Sequence, residues 1–145
     1  MSANIVDMLK RHEGTGERDN RGNFLMYQDT ENLWTIGYGI CIERTGLREH
    51  EAEYLLKSRI EESFRELNIT FRWFRRLNTA RQDALVDLIY NIGFPSFLGF
   101  KKAIEAFEVN DFNEAASQIL DSRYGRELPG RALEISQMIK HGAYR

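Results

Sequence analysis

The chain has 145 residues, 42% hydrophobic and 29% charged, with two prolines, one cysteine and a net charge of −2. That length bounds it to one domain around one core, and the composition is that of a soluble, mostly helical globular protein. Residues 1–58 hold seven Lys/Arg against ten Asp/Glu and the remainder thirteen against twelve, giving −3 and +1. So weak an asymmetry excludes an electrostatic footprint for DNA or RNA, and strong non-specific attraction to an anionic cell wall.

Cys41, the single cysteine, excludes an internal disulfide, so folding does not depend on an oxidising compartment. There is no basic segment followed by an apolar one at the start, and no apolar run of membrane-spanning length. The expectation is a monomer without a signal peptide or membrane insertion, made and folded in a cytoplasm. A substrate beyond the membrane would then require another agent to deliver the protein.

Residues 3–12 read as a short helix with Ile5, Met8 and Leu9 on one face and Ser2 or Asn4 as its cap. Residues 14–24, rich in Gly, Asn and Asp, form the most loop-like stretch. Two strand-like pieces follow, Leu25–Tyr27 and Leu33–Ile36, separated by Gln-Asp-Thr-Glu-Asn, which predicts a small hairpin or sheet. Gly37 and Gly39 then permit close backbone approach or unusual dihedrals.

From about Arg48 helical periodicity takes over, with Ala52, Leu55, Leu56, Ile60 and Phe64 in one inward stripe and an aromatic cluster at Phe71, Trp73 and Phe74. Thr79-Ala-Arg-Gln82 matches a capping box before Ala84, Leu85, Leu88 and Ile89. Gly93 is placed as a helix C-cap, and Pro95 bars resumption of that helix. Phe97, Phe100, Ile104 and Phe107 mark the next helix. Asn110 or Asp111 caps another, which turns Phe112, Ala115, Ala116, Ile119 and Leu120 inward. Pro129 opens the last helix, and His141 and Gly142 close it. The expected class is α+β, mainly α. It comprises a small sheet-bearing lobe at about 13–47, a linking helix at about 48–67, and a helical lobe at about 68–145 packed with helix 3–12.

Glycoside hydrolysis needs a proton donor for the leaving oxygen and a second group that positions the nucleophile. Glu13, ending an amphipathic helix beside Gly14, suits a donor. Asp29 lies between the strand-like pieces, and the Thr35 hydroxyl can hold a water by a hydrogen bond. On local grounds alone each has a plain structural reading: a solvated helix-end carboxylate, an Asp that satisfies turn amides, and a β-branched strand residue.

The strings Met8-Leu-Lys-Arg-His-Glu-Gly14 and Tyr27-Gln-Asp-Thr-Glu-Asn-Leu-Trp-Thr-Ile-Gly-Tyr-Gly39 resemble the phage-type lysozymes of glycoside hydrolase family 24. The resemblance continues in order through Leu47–Leu56, Ala84–Gly93, Gly99-Phe100, Asp111–Tyr124 and Pro129–Ala132. It implies a two-lobed lysozyme fold and a muramidase that hydrolyses the β-1,4 bond between N-acetylmuramic acid and N-acetylglucosamine. Glu13 would be the general acid, and Asp29 and Thr35 would place the attacking water, with inversion at the anomeric carbon. Arg131 matches a family arginine near the catalytic Glu and is expected to pair with Glu13; Tyr90 and Gln118 match cleft-lining positions. No metal or cofactor is implied, and no spaced His/Cys cluster would hold one. The expected partner is bacterial peptidoglycan, met in the periplasm through a holin-type membrane lesion or from within a virion.

The chain departs from the family in three ways. Fifteen residues separate Glu13 from Asp29, a longer loop than usual, which must bulge out or cover the cleft and makes Glu17 a rival acid. Ile40 stands where the family commonly has a His that serves as a structural ion-pair partner. The charge is near neutral, unlike many basic wall-lytic proteins. Two other readings compete. One is a degenerate lysozyme fold kept as a structural or binding module of a virion. The other is a lytic transglycosylase, which can act with one carboxylic acid; Asp29 with Thr35 favours hydrolysis, because both have a task only if water attacks.

Overall fold

The structure, a computed structural model, describes residues 1–14 and 16–144. It is mainly helical with one small antiparallel sheet, the α+β class read from the sequence. The chain divides into two compact units, Met1–Glu53 and Tyr54–Arg145, with the division inside the longest helix. No helix of the described residues is long and apolar enough to cross a membrane.

In the first unit α1 spans Ala3–Glu13. Ser2 is its cap, its hydroxyl accepting from the Ile5 amide, and Gly14 ends it at φ +71°. The strands are shorter than predicted: β1 is Tyr27–Gln28 and β2 is Trp34–Thr35, paired Tyr27 to Thr35 and Gln28 to Trp34. A four-residue helix, α2 (Ile42–Thr45), had no periodicity to announce it.

The glycine-rich stretch is more ordered than its composition suggested. Thr15 lies outside the described residues. Beyond it, Arg18 and Phe24 form an antiparallel bridge, and the Leu25 amide donates to the Glu17 carbonyl. The carboxylate of Asp19 accepts from the amides of Arg21 and Asn23 and from the Asn23 side chain, and these bonds lower its pKa. Asp and Asn build such turns because a short side chain reaches amides two to four residues on. Arg18 lies over the Phe24 ring at 3.8 Å, and Phe24 meets Tyr38 edge-on at 5.0 Å. The loop thus closes on itself and onto the segment after β2.

Helix α3 runs over Glu49–Thr70. Only its last turns meet the core: Ser63 and Leu67 are buried and Ile60 and Phe64 partly so, whereas Leu55 and Leu56 are exposed. The inward stripe predicted from Ala52 onward is corrected there. The 3-10 turn Arg72–Arg76 follows, burying Trp73 and Phe74. Helix α4 (Thr79–Ile92) is capped by Asn78 in place of the predicted Thr79-to-Gln82 box. Asn78 Oδ1 accepts from the Arg81 amide, and Gln82 instead reaches back to the Phe74 carbonyl. Gly93, at φ +83°, ends α4, and the short helix α5 (Phe94–Phe97) starts at once with Pro95 in its first turn.

Helices α6 (Lys101–Glu108), α7 (Phe112–Leu120), α8 (Arg123–Glu127) and α9 (Pro129–His141) complete the second unit. Asp111 caps α7 and Ser122 caps α8. Helix α9 packs on α7, α4 and α8, and α6 on α7. The core holds fully buried Leu67, Phe74, Leu85, Leu88, Phe97, Phe107, Ile119 and Ile139. Each such side chain contributes about 1.5–3 kcal/mol relative to exposure. Arg81 ties the end of α9 to α4. Its guanidinium donates to the carbonyls of Ile139 (2.7 Å) and Lys140 (3.3 Å) and lies over the Phe112 ring at 3.7 Å.

Candidate active site

Three of the predicted site residues, Glu13, Asp29 and Thr35, lie in the first unit. Glu13 is the last residue of α1, and its side chain is exposed. Its carboxyl group rests on the backbone of Gly39, where a methyl group would stand 2.7 Å from Cδ and 3.1 Å from Cγ. Gly39 has φ +74°, a dihedral that favours glycine, and any side chain there would push the Glu13 carboxyl aside. One turn back on α1, the Lys10 ammonium lies 5.3 Å from the Tyr38 ring centre. The end of α1 is therefore laid along residues 38–39.

Asp29 heads the turn between the strands. Its Oδ1 accepts from the amides of Glu31 (2.8 Å) and Leu33 (3.0 Å), and its own amide donates to the Leu33 carbonyl. These bonds are the structural role its turn position predicted, and they also fix the carboxylate rigidly. Both fall on Oδ1, so Oδ2 is the oxygen left for other work. Thr35 is 2% exposed, and its hydroxyl donates to the same Leu33 carbonyl at 3.1 Å. Having given its proton to Leu33, the hydroxyl oxygen can hold a water only by accepting from it. Leu33 thus links Asp29 to Thr35. Continuing along the chain, Ile36 next to Thr35 exchanges both backbone bonds with Ile40 next to Gly39. An unbroken backbone path joins the turn of Asp29 to the seat of Glu13.

At Ile40 the side chain is exposed, so its lack of a charge removes nothing from an interior. The segment is held elsewhere: Glu43 accepts from the Trp34 amide at 2.8 Å, and Arg44 pairs with Glu31 at 3.0 Å. Glu17, the rival acid, is exposed in the loop hairpin and lends its carbonyl to Leu25.

The other three residues lie in the second unit. Arg131, half-buried near the start of α9, donates to Asp87 Oδ1 at 2.7 Å. The Asp87 carboxylate holds the Arg131 pKa above its usual value. Asp87, four positions before Asn91 on α4, carried no signal in the sequence that could single it out. Tyr90 is exposed and borders a cavity of about 450 Å³ with Leu56, Ile60, Phe64, Asp87 and Arg131. Gln118 donates to Glu114 one turn earlier at 2.6 Å and borders a cavity of about 610 Å³ with Lys101, Lys102 and Arg123. Among the described residues, no group of three or more His, Cys, Asp or Glu is placed to hold a metal ion.

Comparison with known proteins agrees with this fold. The phage lysozyme family model matches residues 21–134, which include Asp29, Thr35, Tyr90, Gln118 and Arg131. The chain belongs to the phage lysozyme family. Two curated relatives from Dictyostelium discoideum, described as probable T4-type lysozymes 1 and 2, are each 23% identical to it over 171 aligned positions. Each alignment covers 98% of this chain and 96% of the relative.

Proposed function

We propose that the chain is a peptidoglycan muramidase that hydrolyses the β-1,4 bond between N-acetylmuramic acid and N-acetylglucosamine. The observation that carries this reading is the seating of Glu13 on Gly39, beside a turn that holds Asp29 and Thr35 through one shared residue. In the reaction Glu13 gives its proton to the glycosidic oxygen as the bond to the anomeric carbon breaks. A water attacks that carbon from the opposite face, giving one proton to Asp29 Oδ2 and directing the other at Thr35 Oγ1. The product has inverted configuration, which calls for carboxyl groups roughly 6.5–9.5 Å apart. Tyr90 and Gln118 contact the glycan, and Arg131, held by Asp87, serves as a positioning charge. The setting is phage-mediated lysis or wall penetration, in which a membrane lesion or a virion brings the enzyme to the wall.

Clearing of a peptidoglycan suspension, followed by mass analysis of the released muropeptides, tests the proposal. Clearing by the parent, none by Glu13→Gln, and fragments ending in a hydrolysed reducing sugar are expected. Equal inertness of parent and variant would leave a binding or structural module. Fragments one water lighter would identify a lytic transglycosylase.

A further inference from the structure

The 3-10 turn Arg-Trp-Phe-Arg-Arg sorts its residues sharply: Trp73 and Phe74 are buried, while Arg72, Arg75 and Arg76 stay exposed. Trp73 is 4% exposed, its indole stacked between Phe71 and Phe107, each with ring centres 4.9 Å away. Its N–H has no acceptor among the described residues. A buried donor left unpaired is costly and rare in folded proteins, and an indole N–H can only donate. Trp73 also walls a cavity of about 450 Å³ with Thr70, Phe71, Arg72, Arg76 and Glu108. Arg76 donates to the Glu108 carbonyl at 3.2 Å. No ion pair neutralises Arg72, Arg75 or Arg76 among the described residues.

The walls thus offer two guanidinium forks against one carboxylate, while the indole N–H of Trp73 is itself enclosed. A fitting ligand must supply acceptor oxygens and negative charge, and a phosphate matches the guanidinium fork. Glu108, able only to accept when ionised, suits a hydroxyl on the same ligand. Ile69 and Val109, each adjoining a residue of the cavity wall, are 76% and 75% exposed. We propose that this cavity is a second binding site, separate from the hydrolytic residues, for the phosphate ester of a polyol. Arg72 and Arg76 grip the phosphate, Glu108 accepts from a hydroxyl, and the Trp73 ring in the wall reports their occupation. Such an ester occurs as a soluble or polymeric glycerol phosphate and as the headgroup of an anionic lipid.

Titration of the whole chain with glycerol 3-phosphate, followed through its two indole N–H resonances by NMR, tests the site, with Trp73→Phe assigning the signal. Saturable movement of the Trp73 resonance is expected, with Trp34 unmoved. Arg72→Gln and Arg76→Gln should each weaken binding about tenfold or more, the loss of one charged hydrogen bond. Arg59→Gln, the same charge change but on α3, should bind as the parent does. The Arg72 side chain makes no hydrogen bond among the described residues, so its variant remains informative if Arg76→Gln folds poorly. Sedimentation with phosphatidylglycerol vesicles, against phosphatidylcholine vesicles, separates the sources. Arg72-dependent capture assigns a lipid headgroup, and binding of glycerol 3-phosphate without capture assigns a soluble or polymeric ester. A motionless Trp73 signal with no vesicle capture overturns the proposal. So does binding indifferent to Arg72 and Arg76, or equally weakened in Arg59→Gln.

Discussion

Gly39 makes the position of Glu13 testable independently of any assay. Gly39→Ala should cost about 1 kcal/mol or more from its positive φ alone, and its methyl group must displace the Glu13 carboxyl. Denaturant melts and clearing rates should therefore fall together in that variant. In Glu13→Gln they should separate, with stability near the parent's and activity lower by roughly a hundred- to ten-thousand-fold, the range for a lost general acid. Asp29 holds its turn together, and different substitutions can divide that role from the catalytic one proposed for it. Asp29→Asn can still accept both turn amides on its carbonyl oxygen, so it should melt like the parent yet clear walls slowly. Asp29→Ala should lose activity and, in addition, about 1–3 kcal/mol for the unpaired amides. Glu13, Asp29 and Thr35 were singled out as candidates by the Glu-Gly and Tyr27-to-Gly39 strings, not by their own chemistry. That Glu13 lies on Gly39 was not legible, because a glycine declares backbone freedom and not which side chain will approach. The Arg131 partner shown within the second unit, Asp87, was equally hidden, since nothing local brings residues 44 positions apart together.

At the level of elements, caps proved the most readable feature and packing faces the least. Asp111, Pro129, Gly93 and Gly142 stand where turn chemistry places them. Thr79 was displaced by Asn78 because Asn78 does two jobs: its oxygen caps α4 while its amide nitrogen donates to the Gly142 carbonyl at 2.8 Å. Asn78→Ala should accordingly cost more than the ~1 kcal/mol of an ordinary cap, measured as a shift in thermal midpoint. Arg81→Met should loosen the end of α9 by leaving the Ile139 and Lys140 carbonyls without their donor, detectable as faster amide exchange over the last turn. Short helices such as α2 and α8 escaped the periodicity reading because four or five residues complete barely one turn. The loop after Glu13 looked structureless for a different reason. Its order comes from Asp19, Arg18 and Phe24 acting on one another, a pattern without a repeat.

The molecule as a whole is unevenly built. Every buried apolar side chain among the described residues lies between Leu67 and Ile139, whereas the first unit buries only Thr35. Amide exchange should divide accordingly, with slow exchange approaching global unfolding in α4, α7 and α9 and fast local opening around β1, β2 and α2. Burial of one phenol bears on alkaline stability. Burial raises the pKa of Tyr124 above its ordinary 10.0, so the folded chain prefers the neutral phenol. Its contribution is complete below the unfolded-state value and is lost as pH rises toward the folded one. Thermal midpoints should fall above about pH 10, less steeply in Tyr124→Phe, which removes a hydroxyl that has no partner among the described residues. Composition foretold the helical class and the charge balance, but not this concentration of the core, because Leu55 and Leu56 read as interior residues as convincingly as Leu67 does. Cys41, half-buried at the head of α2, is the chain's sole thiol. A maleimide dye would therefore attach at one place, inside the unit that carries Glu13. In a Trp34→Phe background, energy transfer to that dye from the Trp73 indole in the other unit would report the distance between the two with and without added glycan.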